Sequence, residues 1–175
     1  MCIINNLRAN SIISGSYILA KKDFFRLVEW WNVKVSLFFG VFTLYAVYLE
    51  LNFLDYLEYL GKSFALLFPI AAWANVINDF GDVESDALAG KPNRLSRFTP
   101  KLRILLSFGS LPFLFILPYY WLTSFSAWLL LIAIIAGFFM YSVQPFRLKA
   151  KQWGGVFMDA LSTQVFPQLF ILYYI

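Results

Sequence analysis

Residues 75–86, NVINDFGDVESD, crowd two asparagines, three aspartates and a glutamate into a chain that carries few charges elsewhere. With Asn75 at zero on a helix and 100° per residue, Asp79 falls at about +40°, Asp82 at about −20°, Asp86 at about +20° and Asn78 at about −60°. Three carboxylates and an amide therefore share one stripe. Like charges one turn apart repel and destabilise an isolated helix, so a stripe of this kind makes sense once a cation neutralises it. The plain alternative is a solvated helix end whose acids balance Lys91, Arg94 and Arg97. The chain has no histidine, which excludes His-ligated metals, His general bases and Ser-His triads. Only oxygen donors remain, and they favour a hard cation such as Mg²⁺. An EF-hand loop starting at Asp79 would need glycine at its sixth position and glutamate at its twelfth, where the sequence has Glu84 and Gly90. Mg²⁺ takes one or two carboxylates plus phosphate oxygens, so the stripe points to a lipid-linked phosphate or diphosphate.

The elements that must position this stripe are membrane helices. The 175 residues are 61% hydrophobic, 21% aromatic and only 14% charged, with a mean hydropathy of +0.68. Soluble domains run at about 45–50% apolar and about 25% charged. The expected fold class is all-α, a multi-pass transmembrane helical bundle of about five spans. Candidates run over 33–51 and 61–78, then through a stretch from Ile104 to Phe146 with no charge over 43 residues, and finally from Gly154–Gly155 to the C-terminus. The long stretch exceeds one crossing of about 20 residues, and PYYWLTSFS, Pro118 to Ser126, is expected to divide it at a Tyr/Trp belt.

Thirteen of the fourteen Lys and Arg residues fall in segments 8–34, 91–103 and 147–151, which alternate with charge-poor or acidic connections. The positive-inside rule then places the N-terminus and the loops at 79–103 and 144–152 in the cytoplasm. The net charge of +4 follows from topology, and no nucleic-acid partner is needed. Residues 1–32 lack a signal-peptide layout and read as a cytoplasmic or interfacial lead-in, with residues 33–175 forming one membrane domain. Cys2 is the only cysteine, so no internal disulfide is possible. The expected location is an integral membrane, the plasma or inner membrane in a bacterium.

Asn78, Asp79, Asp82 and Asp86 form the pattern N-D-x-x-D-x-x-x-D, which resembles the first aspartate-rich motif of the UbiA superfamily of intramembrane prenyltransferases. Asn75 fits the way that motif is introduced. AGKPNRLS, residues 89–96, is similar to the loop that follows, with Leu95 where the family has proline and no closing Ser-Gly. YSVQPFRLKAKQWGG, residues 141–155, resembles the segment that leads from the fourth span to the fifth. The resemblance implies a helical bundle that binds a polyprenyl diphosphate donor through Mg²⁺. Asp82 and Asp86 would be the principal metal-bridging carboxylates, supported by Asp79 and Asn78. Asn75, Arg94, Tyr141, Arg147 and Lys149 would serve the diphosphate. The implied reaction transfers the prenyl group to an aromatic or other lipid-biosynthetic acceptor, with metal and cations stabilising the leaving diphosphate.

Taken alone, PFRLKAK reads as a cytoplasmic basic loop and Tyr141 as a belt aromatic; their pairing with the aspartate stripe makes them site candidates. Asp159, about one turn into the fifth span, either faces the same cavity or snorkels to the surface. The family fold has about nine helices and a second aspartate-rich motif, so this chain is expected to be its N-terminal half. A missing C-terminal half or an oligomer partner would supply the rest. The rival from another class is a truncated or non-catalytic membrane protein that retains Mg²⁺ and lipid-diphosphate binding. A CDP-alcohol phosphotransferase would need glycine and arginine spacings that residues 78–94 do not have.

Overall fold

A computed structural model describes residues 34–175; the lead-in expected over residues 1–32 lies outside that range. The described residues are mostly helical, with no strand among them. Four helical stretches are long and apolar enough to cross a membrane: Phe53–Leu88, Pro100–Trp121, Phe125–Ser142 and Gln152–Tyr174. A shorter apolar helix, α1 (Ser36–Tyr48), precedes them. At 1.5 Å per residue, the described residues of α1 cover about 20 Å. Its end is set by Glu50, which turns left-handed at φ 54°. Leu51 N–H then donates to Ala46 O at 3.0 Å and Glu50 N–H to Val47 O at 3.1 Å, closing a Schellman motif.

The second span is longer than its apolar stretch suggests. Helix α2 (Phe53–Leu88) runs unbroken for 36 residues, about 54 Å, so it carries the whole stripe from Asn75 to Asp86 on one helix, ten residues past the apolar stretch that ends at Asn78. Asn52 caps its start, accepting from Asp55 N–H at 2.9 Å, and Asp55 sits favourably at the positive end of the helix dipole. Gly90, at φ 67°, ends it with a second Schellman motif: Lys91 N–H donates to Asp86 O at 2.8 Å and Gly90 N–H to Ala87 O at 3.3 Å. These two motifs make opposite residue choices, which gives a paired prediction. Gly90→Ala should lower stability by about 1 kcal/mol and Glu50→Gly should raise it by a similar amount, because a side chain in the left-handed region costs roughly 1–2 kcal/mol. Equilibrium unfolding in mixed micelles measures both, and equal signs would show that the left-handed strain is not what these positions sense.

The third span joins α3 (Pro100–Phe108), a 3₁₀ turn at Leu111–Phe115 and α4 (Ile116–Trp121). Pro118 does not break it, since a proline in the first turn of α4 removes an amide that has no helical acceptor. The division expected within Pro118–Ser126 falls at residues 122–124, where Ser124 caps α5 (Phe125–Ser142) by accepting from Ala127 N–H at 3.4 Å. The last span joins α6 (Gln152–Ala160), a π-helical turn at Leu161–Val165 and α7 (Phe166–Tyr174). Pro167 cannot donate to the preceding turn, and a wider turn accommodates its ring.

The core forms where α5 packs on both α2 and α7. Leu66, Ile70, Trp73 and Ile77 line one face of α2 at helical spacing and meet Leu131, Ile134 and Ile135 of α5. A smaller cluster joins Phe42 and Ala46 of α1 to Ile171 of α7. Among apolar helices in lipid, close backbone approach supplies packing that the hydrophobic effect cannot. The tightest approach is at Gly81, where an added Cβ would lie 2.1 Å from the Ser142 carbonyl oxygen. This contact fixes the C-terminal end of α5 against the acidic end of α2.

Candidate functional site

Because α2 continues past its apolar stretch, its polar residues meet the loop between α2 and α3 and the connection after α5. The structure divides the stripe between them. Asn78 and Asp82 turn toward the connection after α5. Lys149 Nζ donates to Asp82 Oδ2 at 2.7 Å and to Asn78 Oδ1 at 2.7 Å. Arg147 Nη2 donates to Asp82 Oδ1 at 3.0 Å and to Ser85 Oγ at 2.8 Å. Ser142 Oγ donates to Asn78 Oδ1 at 3.3 Å. Tyr141 stands beside them, its ring centroid 5.9 Å from Lys149 Nζ, within cation–π range.

Asp79 and Asp86 turn instead toward the loop between α2 and α3. Arg94 Nε donates to Asp79 Oδ2 at 2.5 Å. Asn93 spans both, its amide donating to Asp79 O and to Asp86 Oδ2, each at 2.8 Å. Asn75 donates to Ala71 O at 3.2 Å within its own helix and lines a cavity beside Asp79 and Arg94. Of the residues expected at the site, the fold thus joins Asn78, Asp82, Tyr141, Arg147 and Lys149 in one cluster. It sets Asn75, Asp79 and Arg94 on the other flank of α2, with Asp86 held by Asn93. Asp159 pairs with Lys34 across 3.7 Å and is half exposed, outside the polar contacts of the cluster.

Ser85, Asn93 and Ser142 also take part; Asn93 and Ser142 lie within the segments 89–96 and 141–155, and Ser85 occupies a variable position of the aspartate motif. Asn93 was accessible as the residue before Arg94, where an Asx turn (Leu95 N–H to Asn93 Oδ1, 2.9 Å) bends the loop back onto α2. The turn after α5 aims the cations. Arg147 adopts φ 33°, and its N–H donates to Val143 O at 2.8 Å, so Arg147 and Lys149 both reach Asp82.

The electrostatics follow from partial burial. Lys149 is only 13% exposed and Asp82 21%. Desolvation is the largest influence on Lys149 and lowers its pKa below 10.5, opposed by its hydrogen bond and charge attraction to Asp82. Arg147 Nε is buried without a hydrogen-bond partner among the described residues. An acceptor-rich anion would satisfy such a donor.

The donor chemistry also bears on Mg²⁺. Among the described residues, no three carboxylate, cysteine or histidine side chains converge on a point. Asp82 and Asp86 lie one turn apart on α2, but Asp82 is engaged by Arg147 and Lys149 and Asp86 by Asn93, so the two carboxylates share no partner in this arrangement.

Compared with known families, residues 33–173 match the model of the UbiA prenyltransferase family, well over half of the chain. No curated protein and no solved structure matches it.

Proposed function

We propose, since this chain belongs to the UbiA prenyltransferase family and its apolar helices make it an integral membrane protein, that its polar cluster holds the diphosphate of a polyprenyl donor during prenyl transfer. The observation that carries this is the convergence of Arg147 and Lys149 on Asp82 and Asn78 from across the fold. Two cations held against an acidic helix face can grip a diphosphate while the carboxylates hold its metal. Mg²⁺ bound by Asp82 and Asp86, with Asp79 and Asn78 in support, would neutralise charge on the departing diphosphate.

The chain's own residues have distinct tasks in that scheme. Arg147 offers Nη2 and the buried Nε to the diphosphate oxygens. Lys149 contributes a partly desolvated ammonium whose charge acts strongly at short range. Tyr141 covers that ammonium on one side. The apolar helices around the site exclude water from the reacting carbon. The acceptor in this scheme is an aromatic or other lipid-biosynthetic nucleophile; Asn75 and Arg94 stand on the opposite flank of α2 and line a separate cavity beside the loop to α3. In this scheme the positive-inside rule would have the chemistry face the cytoplasm.

Binding of a non-hydrolysable prenyl diphosphate analogue tests the proposal. Binding is expected to require Mg²⁺ in the wild type, and to lose that requirement in Asp82→Asn and Asp86→Asn. Glu84→Gln, on the opposite face of α2, should retain it. Equal losses at all three positions would indicate a collapsed helix end and sink the assignment.

A further inference from the structure

On the flank of α2 away from Asp82 lies a cavity of about 480 Å³, closed by the loop between α2 and α3 and by the third span. Its size falls in the range of about 300–1,000 Å³ typical of small-molecule sites. Asp82, Arg147 and Lys149 do not line it. We infer that this cavity binds a single-chain amphiphile with one anionic headgroup, a carboxylate or a phosphate monoester, its head at Arg94 and Arg97 and its chain along the apolar wall.

The cavity is built with two distinct ends. At one end stand Asn75, Asp79, Arg94 and Arg97. Among the described residues that line it, two guanidiniums stand with one carboxylate, an excess of one positive charge matched to an anion of low charge; the several charges of a diphosphate suit the Arg147–Lys149 cluster better. The Asp79–Arg94 ion pair is largely buried, with side chains 16% and 29% exposed, so it fixes the guanidinium in place. Arg97 sits at the mouth, its guanidinium 4.9 Å over the Phe98 ring, and is exposed.

The remaining wall is apolar. Trp73 donates its indole N–H to Ser107 O at 2.8 Å, which satisfies its polar atom and leaves the ring as a fixed surface. Phe113 and Leu114 of the 3₁₀ turn line the cavity with it. The roof is also fixed: Arg103 donates to Phe98 O at 2.8 Å and to Ser96 O at 2.9 Å. A small hydrophilic anion would leave this wall facing water, and an uncharged hydrocarbon would leave the net positive charge unmatched. An amphiphile satisfies both ends. The cavity shares Asp79 with the metal support proposed for the other flank, but Asp82, Asp86, Arg147 and Lys149 do not line it.

The test uses the full chain in phosphatidylcholine nanodiscs and a palmitate analogue with a photoreactive diazirine in its tail. Labelling should saturate and map to the apolar wall, residues 69–76 and 106–114. Palmitate or 1-palmitoyl lysophosphatidate should displace it, hexadecanol should not, and whichever of the two acids acts at lower concentration identifies the headgroup. Arg97→Gln should weaken apparent affinity about tenfold. Leu106→Trp should fill the cavity and abolish saturable labelling, with Ala72→Leu as the second filling variant if the first does not melt cooperatively. Mg²⁺-dependent binding of the diphosphate analogue, read in the same nanodiscs, should persist in these variants, so failure here is distinct from failure at Asp82. Displacement by hexadecanol, displacement by inorganic phosphate alone, non-saturating labels spread over lipid-facing positions, or an Arg97→Gln variant with wild-type affinity would each overturn the inference.

Discussion

Gly81→Ala is expected to lower both the stability of the protein and its affinity for a prenyl diphosphate analogue, the latter by about a hundredfold. The added methyl would lie 2.1 Å from the Ser142 carbonyl oxygen and 3.0 Å from its carbon. Both are backbone atoms, so no rotamer change relieves the clash and α2 must move away from the end of α5. Overpacking of this kind costs about 1–3 kcal/mol. The displacement also carries function, because Ser142 reaches Asn78 and the adjoining turn aims Arg147 at Asp82. A misplacement of about 1 Å can cost about 10²-fold. Gly61→Ala is the control. Its Cβ meets nothing within 4 Å, and replacing a mid-helix glycine should be neutral or stabilising by up to about 1 kcal/mol. Thermal melting and analogue titration measure both variants. A Gly81→Ala protein that melts and binds like the wild type would show that this contact does not hold the site.

Arg147→Gln and Lys149→Gln should each weaken analogue binding by roughly 10- to 100-fold, since a hydrogen bond to a charged group contributes about 1.5–3 kcal/mol. A second readout separates Lys149 from Arg147. Burial lowers the Lys149 pKa below 10.5, so as pH rises the folded protein loses this proton before an unfolded chain would. Two opposite trends follow in the window between the folded pKa and 10.5. Stability rises with pH there, because the unfolded chain binds more protons. Diphosphate binding falls, because the ammonium is lost. Lys149→Arg should remove this pH dependence, as guanidinium stays charged, while Arg147→Gln should retain it. A Lys149→Arg variant that loses affinity with the wild-type pH profile would place the titrating group elsewhere.

What the sequence alone determined here is what depends on local spacing and composition. The apolar content and the segregation of basic residues led to an all-helical membrane bundle, which the fold bears out. Spacings of three and four placed Asn75 through Asp86 on a continuous helix, since periodicity is a property of the segment itself. The motif at 78–86 and the segment at 141–155 led to the family. Span limits were less legible. Hydropathy marks where hydrocarbon ends, not where a helix ends, so α2 outruns its apolar stretch by ten residues past Asn78, whereas α1 ends at Tyr48, close to the expected limit, at the turn through Glu50. Tertiary structure alone decided how the acidic stripe divides. Asp79 and Asp82 differ by only about 60° on the helix, a separation too small to assign them different neighbours from sequence. Contact partners settle the matter: Gly81 brings Ser142 and the Arg147–Lys149 turn to one flank, and the Asx turn at Asn93 brings Arg94 to the other. Those partners lie up to 71 residues away from the positions they bind. Such pairing follows from the packing of helices against each other and leaves no periodic trace in the chain.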